Sequence, residues 1–366
     1  MRYKFIYIVL FIVTNSIILV GQDEKINKFK NISLSSDIGY GFVMPHHKFI
    51  EYCVEDHIKS FDIRIAKQTI GEKPWHKGYR YPRYGLGYYR SNLSNDLVFG
   101  NVNAIYSFIN IPFFEKKVFS LNYQISVGMA YISKIFDLEN NYKNIAIGSH
   151  NNIYLDFRIQ PKIQINHKIA VSGNLRFTHF SNGKIASPNK GLNLVNSSLG
   201  VHYSFANSKK ITADTDLFLA KNKFTVIYSG AIKTITRYEK GHFFASSISG
   251  DYYRQYNENH QWGVGADIFF DSVIRAEQEN SENTDIKDTD LFQYGIHIGH
   301  DMLMGKLAFC LQLGVYVYTP VEPEAPIYNR LGIRYFFANN IIANISLKSH
   351  YGKASFIEFG VGYCFN

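Results

Sequence analysis

From Ile32 onward, apolar and polar residues alternate with a period of two rather than the 3.6 of a helix. Toward the C-terminus, Ile357, Phe359, Val361, Tyr363 and Phe365 fall on one face, and Glu358, Gly360, Gly362 and Cys364 on the other. Between Lys306 and Tyr318, Leu307, Phe309, Leu311, Leu313, Val315 and Val317 oppose Ala308, Cys310, Gln312, Gly314, Tyr316 and Tyr318. Successive side chains of a strand point to opposite faces, so this pattern predicts strands with one greasy face and one small or polar face. In the first half they span 33–43, 59–70, 83–93, 97–114, 118–133, 148–163, 167–182 and 193–206. The second half adds 221–235, 241–254, 261–276, 289–303, 306–318, 326–337, 340–350 and 353–366. That makes sixteen; fourteen would fit almost as well.

A greasy face is either the core of a sandwich or the lipid-facing wall of a barrel. The first 21 residues favour the barrel. Arg2 and Lys4 precede the mostly apolar Phe5–Val20, with Gly21 following, in the order of a secretory signal peptide. Tyr and Phe gather near strand ends as aromatic girdles do, and Phe365 is the penultimate residue, similar to the C-terminal signature of outer-membrane proteins. The expectation is an all-β chain: a transmembrane antiparallel β-barrel of the bacterial outer membrane, with about 14–16 strands. It would form one barrel over 22–366. Short links such as Glu115–Lys117 and Asn166–His167 would be periplasmic turns, and 134–147, 183–192 and 277–288 extracellular loops. The composition agrees: 16% aromatic and only 19% charged residues, with 27 Tyr and 29 Phe, exclude a disordered chain. Cys53, Cys310 and Cys364 are an odd, scattered set with no disulfide-scaffold or metal-ligand spacing.

Within 167–182, Ile169, Val171, Gly173, Leu175, Phe177, His179 and Ser181 share the outward face, and Lys168, Ser172, Asn174, Arg176 and Thr178 the inward one. An imidazole and a hydroxyl thus end a lipid-facing stripe, where their polar groups gain nothing from hydrocarbon. Two residues apart in a strand, they point the same way with Cα atoms ~7 Å apart. They are either a polar rim at headgroup level, or a nucleophile and its general base presented sideways to a lipid.

The residues that follow, His179-Phe-Ser-Asn-Gly-Lys-Ile-Ala-Ser-Pro-Asn-Lys-Gly-Leu-Asn193, resemble the signature of the PagL family of lipid A deacylases, a His-x-Ser-Asn followed by a Pro-Asn-x-Gly hairpin. Gly41–Lys48 (GFVMPHHK), Lys73-Pro-Trp-His-Lys77 and Asn144–His150 (NIAIGSH) resemble longer members labelled acyloxyacyl hydrolases. The likeness covers roughly 35–206 and weakens beyond. It implies an esterase that removes a fatty acyl chain from lipid A in the outer leaflet. Ser181 would be the nucleophile and His179 the base, with Asn182 and Asn189 shaping the site or its oxyanion hole. Plain turn chemistry accounts equally for both asparagines and for Gly191.

One position departs from that family. Where its best-known members carry a glutamate that orients the histidine, this chain has Asn193, on the outward face with Val195, Leu199, Val201 and Tyr203. No Asp or Glu occurs between Asp156 and Asp214, and Asp156 falls on the inward face with Arg158. The third member is either this amide or a group from a remote loop, and reduced or lost activity is compatible with an amide. His46-His47 and Trp75-His76 are headgroup contacts or ordinary loop residues, His202 a satisfied interior residue, and Glu72 a solvated turn residue.

The formal net charge of +9 falls by two without Arg2 and Lys4. A modestly basic surface suits an anionic partner such as lipopolysaccharide, and no basic run interleaved with aromatics suggests nucleic acid. No cofactor or metal is expected, and a homodimer is compatible with the sequence. The second functional class is a non-catalytic barrel, a channel or a structural lipopolysaccharide-binding protein, supported by eight strands more than a minimal deacylase barrel needs.

Overall fold

The computed structural model describes residues 29–206, 210–211, 219–234, 241–279, 287–320, 325–351 and 353–365. The expected signal peptide at 1–21 lies outside them. Sixteen antiparallel strands account for most of the described chain. The first eight are β1 (Ile32–Val43), β2 (Ile58–Gln68), β3 (Arg83–Asn92), β4 (Asn101–Glu115), β5 (Phe119–Ile132), β6 (Asn151–Gln164), β7 (Ile169–Ser181) and β8 (Leu192–Ser204). The second eight are β9 (Asn222–Lys233), β10 (Phe243–Asn257), β11 (His260–Asp271), β12 (Phe292–Met304), β13 (Leu307–Tyr318), β14 (Ile327–Phe336), β15 (Ile341–His350) and β16 (Lys353–Phe365). Each lies within a few residues of the segment the alternation predicts.

Closure differs from the expectation. The strands form two closed barrels of eight, not one of sixteen. β1 pairs with β8, for instance Ile38 with Leu199, and β9 pairs with β16, Tyr228 with Val361. The inward faces supply the physical reason. An eight-stranded barrel is just narrow enough for its side chains to fill, and these strands carry large, mutually paired inward residues. In the first barrel, Arg64, Arg158 and Arg176 interleave with Asp37, Asp62 and Asp156. Arg158 reaches Asp156 at 2.9 Å, Asp37 at 3.2 Å and Asp62 at 3.3 Å, Arg176 reaches Asp156 at 3.1 Å, and Arg64 pairs with Asp37. Tyr89, Tyr106 and Tyr154 fill the space beside them and are fully buried.

The second barrel repeats the solution with different residues. Arg330 binds Glu358 (2.8 Å) and Asp267 (3.2 Å), Arg334 binds Asp251 (3.0 Å), and His297 bridges Asp267 (2.7 Å) and Asp251 (2.8 Å). Ions buried without partners cost several kcal/mol each, so these ladders only make sense packed against one another. The outward faces stay greasy: Ile38, Ile105, Leu175, Leu199, Ile298, Leu313 and Val361 are all exposed. Among the described residues no helix is long and apolar enough to cross a membrane.

The up-and-down order sends the connections 44–57, 93–100, 133–150 and 182–191 to one end of the first barrel. The turns 116–118 and 165–168 emerge at the opposite end, as does 69–82 with its short helix α1 (Pro74–Gly78). The two barrels touch at both ends. Tyr79 Oη donates to the Asn259 carbonyl (2.9 Å), and Asn259 Nδ2 to that of Trp75 (3.2 Å). At the other end, the Thr234 N–H and hydroxyl both donate to the Lys184 carbonyl, at 2.9 and 3.1 Å.

Candidate active site

Burial along β7 alternates as parity requires: Arg176, Thr178 and Phe180 are buried inward, while Leu175 and Phe177 are exposed outward. His179 continues that outward stripe and is half-buried; Ser181, next on the same face, is buried at the root of the 182–191 hairpin. The register sets Ile153 opposite Ser181, Leu155 opposite His179, and Asn193 of β8 opposite His179 on its other side. A pairing on one face brings side chains within reach across strands. Here it places His179 Nδ1 2.6 Å from Asn193 Oδ1. Asn193, the candidate third member, thus meets the imidazole through its amide. Among the described residues no hydrogen bond joins Ser181 to His179. Such contacts often tighten only when substrate binds.

Beyond Asn193 the contacts continue. Asn193 Nδ2 lies 3.1 Å from His46 Nδ1, and His46 Nε2 lies 2.7 Å from the Lys190 carbonyl oxygen. His46 enters because β1 pairs with β8 up to Val43–Leu194, and Met44 N–H then donates to the Asn193 carbonyl (2.9 Å). The chain bends just beyond, at His46 and His47, where His46 meets the hairpin. The other sequence candidates separate from this group. Trp75 and His76 sit at the opposite end of the barrel, where His76 is buried, accepts from the Gly71 N–H (3.3 Å) and packs edge-on against Trp75. His202 is held inside by Ser35 (2.7 Å) and Ser172 (2.8 Å), and Glu72 is exposed.

The hairpin 182–191 is built by its asparagines and glycines. Gly183 (φ +61°), Lys184 (φ +65°) and Gly191 (φ +76°) adopt left-handed backbone, which glycine takes without steric cost. At Gly191 a Cβ would come within 2.7 Å of His179 Cε1, so the missing side chain is the space the imidazole occupies. The 144–150 segment is bonded to the hairpin: Gly191 N–H donates to the Ala146 carbonyl (3.0 Å) and Lys190 N–H to that of Ile145 (3.2 Å). Asn144, fully buried, pins that segment by donating to the Val98 and Lys134 carbonyls.

The two candidate oxyanion asparagines differ. The Asn182 amide is committed, donating to Ser149 Oγ (2.9 Å) and the Ala186 carbonyl (3.0 Å). Asn189 accepts the Asn182 backbone N–H through Oδ1 (3.1 Å), while its Nδ2 is buried without a partner among the described residues. A donor left unpaired in a buried position is costly unless something uses it. Among the described residues no group of three or more His, Cys, Asp or Glu could hold a metal.

The second barrel reaches this site too. Besides the Thr234–Lys184 bonds, Ser187 Oγ meets Thr234 Oγ1 at 3.0 Å, and a Cβ on Gly183 would collide with the Ile357 side chain of β16. Nothing in the sequence near 234 or 357 marks that contact, because its partners are separated by 47 residues or more and obey no motif.

Comparison with known proteins agrees with this division of the chain. Several solved barrels are similar in outline. Neisserial surface protein A (10% identity, TM-score 0.32) covers 48% of this chain and 97% of its own. A porin mutant from Rh. blastica (8%, 0.18) covers 91% and 99%, and CdiB from Acinetobacter baumannii (10%, 0.19) covers 92% and 60%. At these scores they say nothing about chemistry. No curated protein matches the sequence. The model of the lipid A 3-O-deacylase family, PagL, matches residues 59–202, and that of the acyloxyacyl hydrolase C-terminal domain matches residues 222–366. One model falls on each barrel, and together they span most of the described strands: the chain belongs to the PagL family of lipid A deacylases, with the acyloxyacyl hydrolase C-terminal domain as its second barrel.

Proposed function

We propose that the protein is an outer-membrane esterase that removes a fatty acyl chain from lipid A, with Ser181 as nucleophile and His179 as general base. The observation that carries the reading is the His179–Asn193 contact at 2.6 Å. With Nδ1–H donating to the amide oxygen, the imidazole leaves its Nε2 lone pair free to take the Ser181 proton, as a base in acyl transfer must. Ser181 Oγ then attacks the ester carbonyl, the bond between the acyl carbon and the alkoxy oxygen breaks, and the alcohol leaves with the proton from His179. Water attacks the acyl-serine by the same base and releases the fatty acid.

Asn189 Nδ2 is the donor that suits the developing oxyanion, since no other group claims it. The outward stripe of Leu175 and Phe177 below His179 is exposed and apolar, as a wall for an acyl chain in the leaflet would be. Exposed Lys48, Lys143 and Lys190 on the surrounding loops suit an anionic headgroup. A channel has no comparable support, because both lumens are filled by buried ion-pair ladders.

The test is mass spectrometry of lipid A incubated with refolded protein and with Ser181→Ala. Loss of one acyl chain with the native protein alone, both barrels remaining heat-modifiable on gels, is the expected result. Release that persists in Ser181→Ala would remove this serine from the mechanism.

A further inference from the structure

We propose that His46 is a positioning residue for this site: it fixes the orientation of the Asn193 amide and thereby the tautomer of His179. The inference rests on the functional reading above. A carboxylate presents oxygen whichever way it turns, whereas an amide has one acceptor end and one donor end. Rotated by half a turn, Asn193 would aim Nδ2 at His179 Nδ1. The imidazole would then carry its proton on Nε2 and could take none from Ser181. In a serine protease, putting an amide at the carboxylate position imposed that wrong tautomer and cost ~10⁴ in turnover. A chain that carries an asparagine here needs a second group to choose its orientation.

His46 makes that choice through its own contacts. The Lys190 carbonyl oxygen, 2.7 Å from His46 Nε2, can only accept, so Nε2 carries the hydrogen. In the neutral ring, Nδ1 is then a bare lone pair, and it lies 3.1 Å from Asn193 Nδ2. Only the amide NH2 can meet that lone pair, which leaves Oδ1 facing His179 Nδ1 at 2.6 Å. The hydrogen bonds thus run in one direction: His179 Nδ1–H to Asn193, Asn193 Nδ2–H to His46, His46 Nε2–H to the Lys190 backbone. The anchor is sound, because the Lys190 N–H is itself tied to the Ile145 carbonyl at 3.2 Å. His46 touches neither Ser181 nor a reacting atom, so its effect passes through Asn193.

The experiment compares three substitutions in the full-length refolded protein, with lipid A as substrate. His46→Lys offers donors only, which turns the Asn193 oxygen toward itself. Turnover should fall at least 100-fold, with KM changed by less than threefold. His46→Gln presents one acceptor and one donor as the neutral imidazole does, and should recover at least a third of native turnover. In an Asn193→Asp background the carboxylate cannot be turned the wrong way, so adding His46→Lys should change turnover less than threefold relative to Asn193→Asp alone. Equal losses from His46→Lys in both backgrounds, or native turnover in the single variant, would overturn the proposal. Nitrogen NMR of ¹⁵N-histidine-labelled protein gives the second readout. His179 should be protonated on Nδ1 in the native protein and on Nε2 in His46→Lys. If the native protein shows that tautomer yet releases no fatty acid, the esterase reading fails while the relay stands; an unchanged tautomer in His46→Lys defeats the relay whatever the activity.

Discussion

Gly191→Ala isolates the placement of the imidazole from its chemistry. Gly191 sits at φ +76°, and an added Cβ would lie 2.7 Å from His179 Cε1 and 3.2 Å from the Phe180 carbonyl. Non-bonded carbons rest at about 3.5–4.0 Å, so the ring must retreat by roughly 1 Å or the hairpin must open. The left-handed backbone adds about 1–2 kcal/mol of strain for a residue with a Cβ. That strain is confined to a hairpin outside the closed ladders, so the barrels should survive. A misplacement of about 1 Å at a reacting group can cost ~10²-fold, and turnover should fall by that order with KM little changed. Gly173→Ala is the matched control. It lies on the same outward face of β7, and its added Cβ finds nothing nearer than Pro161 Cγ at 3.9 Å. The assay is fatty-acid release from lipid A by mass spectrometry, with heat-modifiable mobility reporting folding. Native turnover in a folded Gly191→Ala protein would refute the claim that the ring is used where it packs.

Three further outcomes test other parts of the structure. Asn189→Ala removes a buried side-chain donor of the hairpin that has no partner among the described residues and should lower turnover by ~10²–10³ if that donor meets the oxyanion; a loss under threefold would assign the amide to the turn alone. Arg158→Met removes the cation that Asp37, Asp62 and Asp156 share in the first lumen, leaving Arg64 and Arg176 alone to balance three buried carboxylates. Breaking a buried pair costs about 3–5 kcal/mol, so the urea midpoint of the heat-modifiable band should fall clearly, and an unmoved midpoint would contradict the ladder. Thr234→Val removes the hydroxyl bonds to Lys184 and Ser187 while keeping the backbone one. At about 1 kcal/mol per hydrogen bond, turnover should drop several-fold in an intact barrel, and no change would mean the hairpin holds its shape without the second barrel.

Strand positions were legible because a period-2 alternation is a local signal, and it marked β7 and β8 well enough to put His179, Ser181 and Asn193 on one outward face. Closure was not legible. Whether β8 turns back to β1 or goes on to β9 depends on a pairing between distant segments, and only the size and charge of the inward residues hinted at it. Arg158, Arg176 and Asp156 were visible as inward residues, but their meaning as a plug needed a lumen width. The asparagines of the hairpin were flagged together, yet only geometry distinguishes the committed Asn182 from the unpaired Asn189. In the sequence His46 stands out only as part of a His-His pair, open to a headgroup contact or an ordinary loop position. Its contact with Asn193 spans 147 positions and arises from the β1–β8 pairing, which no local pattern encodes.

That same pairing makes the chain a case of two seams. An open sheet edge offers unpaired N–H and C=O groups to any neighbour, and in a bilayer such an edge cannot be left unsealed. Here the seam of the first barrel, β1 with β8, is completed by a strand that still has another whole barrel following it, whereas the second is completed by β16. Folding of this chain must therefore let one sheet zip shut in mid-chain and then begin again. A strand from the second half that invaded the gap between β1 and β8 would give a wider single ring, and that ring would lose the Met44–Asn193 contact beside the histidine. Sealing the first seam correctly and assembling the site are, in this molecule, the same event.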